Sequence, residues 1–212
     1  MLIRIFSSLF LAPIVLAAVW AGYPYFEFLI IFVGSIGLFE WFRLLRKQNR
    51  SFIFFLIGLV YIVAPFLIIL WIYKIQSVGP IIVFWILFVV WANDIGAYFV
   101  GKLVRGPKLA PSISPNKTWS GAFGGCILAL FVSIIIKPYL TLDFDLIGVS
   151  GFTLIISISG QFGDLLESWV KRNLAVKDTG NIIPGHGGVL DRIDALLLAA
   201  PSAACLIIFF GV

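Results

Sequence analysis

Ten acidic residues occur in this 212-residue chain. Asp94, Asp164, Glu167, Asp191 and Asp194 all interrupt long apolar runs. An ionised carboxylate at the centre of a membrane helix costs about 2.5–3.5 kcal/mol, and less near an end. Five of them would repel one another unless cations drew them together. Asp164, Glu167, Ser168 and Lys171 recur at i, i+3, i+4 and i+7, one face of a helix, and Asp191 and Asp194 share a face three apart. Carboxylate and hydroxyl oxygens are hard ligands that suit Mg²⁺ or Mn²⁺. A zinc site would want His and Cys, and the chain has one His and two Cys, the latter both within apolar runs. Magnesium held by a few carboxylates usually takes phosphate oxygens as well. Structural pairings, such as Glu167 with Lys171 at i+4, would account for single acids but not for the set.

Groups suited to phosphate surround these acids. Residues 177–194, KDTGNIIPGHGGVLDRID, hold Gly180, Gly185, Gly187 and Gly188, which permit positive φ and close backbone approach to a ligand. Lys171, Arg172, Lys177 and Arg192 supply charge for a polyphosphate. Upstream, SPNKTWSG (residues 114–121) opens an apolar run. There Ser114 or Thr118 can cap a helix whose N-terminus favours an anion, and Lys117 adds a full charge. His186, flanked by glycines, reads as a hydrogen-bond donor to a nucleotide, a loop-shaping residue or a general base. Neither a P-loop nor a dinucleotide-binding glycine pattern is present.

The elements that must carry these residues are membrane helices. Charged residues make up 12% of the chain, against about 25% in an ordinary soluble domain. Seven apolar runs near the roughly 20 residues of a span fall at about 4–21, 25–42, 52–73, 80–100, 118–137, 146–169 and 190–211. They are too long and too little alternating for barrel strands. The expected fold is therefore all-α and polytopic, a single membrane-embedded domain over 1–212. Residues 1–79 would be scaffold, and 80–212 would carry the site. A cleaved signal peptide is a weaker reading of the first run, because its apolar stretch is long and a second follows at once.

Thirteen of the fifteen Lys and Arg fall on the N-terminal side of the bilayer, leaving Lys74 and Lys137 on the other. That asymmetry is the positive-inside signal, so the N-terminus and residues 177–189 are expected in the cytoplasm. At about 1.5 Å per residue, Asp94 and Asp164 each lie about 10 Å below the cytoplasmic ends of their runs, and Asp194 at a similar level. The net charge of +5 suits anionic lipid head groups, and no soluble basic domain exists to bind nucleic acid.

Residues 168–194, SWVKRNLAVKDTGNIIPGHGGVLDRID, resemble the signature of the phosphatidate cytidylyltransferases, S-x-x-K-R-x4-K-D-x-G-x3-P-G-H-G-G-x2-D-R-x-D, at every fixed position. ANDIGAYFVGK (92–102) and SISPNKTWSG (112–121) resemble that family's two upstream motifs, so the resemblance covers about residues 85–200. It implies a bacterial inner-membrane enzyme, often dimeric, with its site open to the cytoplasm and to lipid. The implied reaction joins CTP and phosphatidate to give CDP-diacylglycerol and pyrophosphate, with Mg²⁺ alone or beside a second cation. Metal ligands implied by the resemblance are Asp164, Asp178, Asp191 and Asp194 in some combination, and the acids inside the apolar runs add Asp94 and Glu167 to the candidates. Catalysis would fall to Asp178, Asp191, Asp194, Lys171 and Arg172. Substrates would be held by Ser114, Asn116, Lys117, Thr118, Ser168, Lys177, Gly185, His186, Gly187, Gly188 and Arg192. Members of the family usually carry more chain before the region matching residue 80. A CTP-dependent lipid kinase, or a cytidylyltransferase for another lipid phosphate, would keep much of this constellation. An ion-coupled transporter would place its acids nearer the midplane, between repeats.

The orientation is checked by labelling single cysteines in a cysteine-free background. Cysteines at Asn181 and Gln48 should react only from the cytoplasm, and one at Leu142 only from outside. Outside labelling at position 181 would reverse the topology.

Overall fold

The computed structural model describes residues 2–47, 52–76, 78–140, 144–182 and 187–211, with side chains from residue 10 onward except that of residue 47. The helices are α1 (Leu2–Ala21), α2 (Tyr25–Lys47), α3 (Phe52–Tyr73), α4 (Gly79–Val104), α5 (Trp119–Ile136), α6 (Leu146–Asn173) and α7 (Leu190–Phe210). Six of them, α2 to α7, are long and apolar enough to cross a membrane; in α1 the apolar stretch found is the shorter Phe10–Ala21. The protein is an all-α polytopic membrane protein, and each of the seven expected apolar runs coincides with a helix.

One element that is not a helix lies in the polar segment between two of the apolar runs. Between α4 and α5 a hairpin forms, with β1 (Lys108–Ala110) antiparallel to β2 (Ser114–Thr118) and a register shift between Lys108 and Ala110. Ser114, expected as an alternative helix cap, therefore lies in a strand. The cap is Thr118, whose Oγ1 accepts from the Gly121 amide at 3.1 Å. Periodicity was too short a signal here, since three to five polar residues give no pattern that separates a strand from a loop.

In lipid, helices gain nothing by hiding apolar surface from one another, so close approach relies on small residues. Helices α4 and α5 meet on such a seam. A Cβ added at Gly96 would lie 2.6 Å from the Gly124 carbonyl, and one at Gly125 would lie 2.6 Å from both oxygens of Asn93. The α6–α7 seam follows the same rule: a Cβ on Gly163 would come within 2.6 Å of the Asp194 carbonyl, while Ala195, Ala199 and Ala200 are buried beside it. Large exposed side chains such as Ile147, Phe209 and Leu103 belong on the lipid-facing surface. These two seams set the spacing of α4, α5, α6 and α7, the helices that carry the carboxylates and the hairpin.

Gly125→Ala should destabilise the protein by about 1–3 kcal/mol, the cost of overpacking a closed contact. Gly151→Ala is the control: a Cβ there meets nothing within 4 Å, so it should be neutral or gain up to about 1 kcal/mol of helix propensity. Thermal unfolding in detergent reads both, and an equal response would remove the seam as a determinant of the fold.

Candidate active site

Contacts among α2, α6, α7 and the hairpin gather the polar residues at one end of the bundle. Lys117 of β2 pairs with Asp164 of α6. Arg172, near the end of α6, donates from Nε to the Ile113 carbonyl at the hairpin turn at 3.2 Å. Lys171 of α6 reaches Asp191 of α7, and Glu40 of α2 reaches the first residues of α7. This end also carries most of the cations, as the charge asymmetry requires.

The first part of the site is a cavity of about 780 Å³ between α4, the hairpin and α6. Lys102, Arg105, Lys108 and Lys117 line it, together with the carboxylates of Asp94 and Asp164. Its volume lies in the range of small-molecule and cofactor pockets. Asn116 and Thr118 also face it, whereas Ser114 is not among its lining residues. Toward the protein interior Gln161 donates to Asn93 Oδ1 at 2.8 Å and to the Ala122 carbonyl at 3.0 Å, so the cavity has a fixed polar wall. Asn93 and Gln161 were missed in the sequence. The available signal was amides inside apolar runs, one residue before Asp94 and three before Asp164.

The second part is a clamp around the start of α7. Asp191, 8% exposed, accepts from the Gly188 amide at 2.8 Å and from the Thr179 amide and hydroxyl at 2.9 Å each, all on Oδ2. Its Oδ1 takes the Lys171 ammonium at 2.7 Å, and Lys171 also holds Glu167 Oε1 at 3.1 Å. Glu40, 1% exposed, accepts from the Val189 and Leu190 amides at 3.0 Å each. Sequence reasoning also missed Glu40, because an acid seven residues before Lys47, at the cationic end of α2, reads as an interfacial charge.

Several expected roles change in this arrangement. Gly180 and Gly188 do bring the backbone close to something, but to Glu40 and Thr179 rather than to a ligand; added Cβ atoms would lie 2.4 Å from Glu40 Oε1 and 2.2 Å from Thr179 Oγ1. Gly187 does adopt positive φ, at 83°. Arg172, expected to act in catalysis, is spent on the Ile113 and Val176 carbonyls and ties the hairpin to α6. Lys171 is engaged by two carboxylates, so its charge is balanced within the clamp. Ser168 stands 3.5 Å from Asp164 Oδ1, at the long limit of a hydrogen bond. Lys177, Asp178 and Arg192 are exposed near the loop, and Arg192 lies within electrostatic reach of Asp94. Gly185 and His186 lie outside the described residues.

Whether these residues suit a divalent cation depends on which oxygens remain. Among the described residues no three His, Cys, Asp or Glu side chains form a ready metal cage. Magnesium does not need one, because one or two carboxylates with phosphate oxygens and waters suffice. Asp94, Asp164 and Glu167 all act electrostatically on Asp194. Among the described residues neither Asp94 nor Asp194 has a Lys or Arg within 4.0 Å. Buried Glu167 Oε2 has no hydrogen-bond partner. An all-oxygen donor set fits a hard cation; Asp94 and Asp164 line the cavity, and Asp194 lies within electrostatic reach of both. Asp191 keeps one lone pair on Oδ1 beyond its four protein donors.

Comparison with known proteins bears on what such a site does. A family model described as the cytidylyltransferase family matches residues 46–210. Curated relatives named phosphatidate cytidylyltransferase include one from Brucella suis biovar 1, 50% identical over 123 residues, covering 58% of this chain and 44% of that protein. One from Bacillus subtilis is 44% identical over 138 residues, 65% of this chain and 51% of the relative. One from Staphylococcus epidermidis is 36% identical over 170 residues, 79% of this chain and 64% of the relative. The chain thus spans about half the length of the curated relatives it matches.

Proposed function

The chain belongs to the cytidylyltransferase family, and we propose that it transfers the cytidylyl group of CTP to phosphatidate, giving CDP-diacylglycerol and pyrophosphate. The observation that carries this reading is the cavity, where four cations and two carboxylates meet at the cation-rich end of membrane helices. A site at that level lets a bilayer-bound phosphate and a water-soluble nucleotide meet.

In this reading a phosphate oxygen of phosphatidate attacks the α-phosphorus of CTP. The bond from that phosphorus to the bridging oxygen breaks, and its electron pair leaves with pyrophosphate. Lys102, Arg105, Lys108 and Lys117 hold the triphosphate through charge-assisted contacts. Lys117 also keeps Asp164 oriented until the substrate arrives. Asp94, Asp164 and Asp194 would hold Mg²⁺, alone or with a second cation, which would neutralise charge on the crowded phosphate oxygens and the leaving group. No proton acceptor is needed, because the attacking phosphate is already anionic at neutral pH, and the protein's share of the work is alignment. Facing the cytoplasm of a bacterial inner membrane, the site would draw on cytosolic CTP.

The test is CTP turnover by the purified protein with phosphatidate, using CTP labelled at the α- or the γ-phosphorus. The α-label should enter the lipid and the γ-label should leave in pyrophosphate. Asp194→Asn should lower Mg²⁺-dependent turnover by at least about 10²-fold, the scale of one lost transition-state electrostatic contact. His186→Ala should cost less. Lipid carrying the γ-label, with CDP accumulating, would make the protein a kinase.

A further inference from the structure

Helix α7 begins without a cap of its own: Val189, at the N-cap position, offers no side-chain acceptor. The first amides of a helix need acceptors, and at Val189 and Leu190, both buried, water cannot supply them. Here the acceptor comes from α2. Glu40 reaches the Val189 amide through Oε1 and the Leu190 amide through Oε2, both at 3.0 Å, across about 150 residues of sequence. Among the described residues no Lys or Arg lies within 4.0 Å of it. Its charge is therefore met by backbone N–H groups and the positive end of the α7 dipole.

The loop is shaped around this carboxylate. Cβ atoms on Gly180 and Gly188 would lie 2.4 Å and 2.6 Å from the two Glu40 oxygens, so the backbone presses on Glu40 from both sides. Thr179 lies between two acids, with its hydroxyl 2.9 Å from Asp191 Oδ2 and 3.4 Å from Glu40 Oε2. One hydroxyl has one proton, and the shorter contact gives it to Asp191. Glu40 thus fixes the two residues before Asp191, and Asp191 fixes Lys171 and, through it, Glu167. Four residues into the same helix stands Asp194.

We infer that Glu40 is a positioning residue for the reaction: by holding the α7 N-terminus it sets the register of Asp191 and Asp194 against α6. It lies before the segment matched by the family model, residues 46–210, so the N-terminal helices contribute to the site rather than only supporting it. The inference rests on the proposed function for its kinetic consequence, but not for its structural one. The cations lining the cavity belong to α4 and the hairpin, which Glu40 does not touch. Loss of Glu40 should therefore reduce kcat while leaving the KM for CTP within about threefold.

The experiment uses the full-length protein in detergent or nanodiscs, with Glu40→Gln as the main variant and Glu40→Ala beside it. Gln is nearly isosteric but turns an amide N–H₂ toward one of the two backbone donors. Amide exchange at residues 188–190 should quicken by about tenfold or more, the scale of losing a hydrogen bond to a charged group. Exchange in residues 108–122 should stay unchanged, and kcat should fall by about tenfold or more with KM held. Unchanged exchange at 188–190 overturns the inference, as does faster exchange with normal kcat. Loosening of the whole chain in the Gln variant would also overturn it, making Glu40 general support. If the wild-type protein turns over no CTP, the proposed function fails, while the exchange result still reports on Glu40 independently.

Discussion

Charge inside hydrocarbon must be met by charge or by oriented dipoles, and the organisation of this protein follows from how it meets that demand. Asp191 is the point where most of the solutions converge. One carboxylate binds the Lys171 ammonium, two backbone amides and a hydroxyl. The loop after α6, the start of α7 and the C-terminal half of α6 cannot shift independently while those bonds hold. Breaking a buried, fully bonded ion pair by removing one partner typically costs about 3–5 kcal/mol, because the other charge is left stranded. The arrangement is therefore stiff, and stiffness is what a reaction governed by alignment needs.

The acids divide into two groups with different tasks. Glu40, Glu167 and Asp191 are buried and bonded to groups of the protein itself. Asp94 and Asp164 line the cavity, and Asp194 lies within electrostatic reach of both. The first group holds the helices in place. In the second, Asp94 and Asp194 have no Lys or Arg within 4.0 Å among the described residues. Lys117 joins the cavity group through Asp164, and Arg172 binds the hairpin to α6, so the mouth of the cavity is fixed at both edges.

Much of this was legible in the sequence, for identifiable reasons. Apolar runs of about 20 residues report spans directly, because the bilayer imposes their length. Asp94, Asp164 and Asp194 announced themselves by their cost in such runs. The hairpin did not, since Lys108–Ala110 and Ser114–Thr118 are too short to show a period. Glu40 was hidden for a different reason: its partners are backbone amides about 150 residues away, and backbone donors leave no mark in a sequence. The glycines of the signature were read as room for a ligand. Two of them are instead room for Glu40 and Thr179, and that distinction requires knowing what faces them. The contacts of Arg172 were hidden likewise, because a guanidinium bonded to carbonyls looks the same in sequence as one awaiting phosphate.

The central claim is that the triphosphate lies between the α4–hairpin cations and the carboxylates of α4, α6 and α7. A structure of the protein with Mg²⁺ and a CTP analogue carrying a non-hydrolysable α,β-bridge tests it most directly. The account predicts phosphate density in the cavity, contacting at least two of Lys102, Arg105, Lys108 and Lys117, with a cation between it and Asp94, Asp164 or Asp194. Nucleotide bound on the exposed loop at residues 177–182, with that cavity filled by lipid alone, would contradict it.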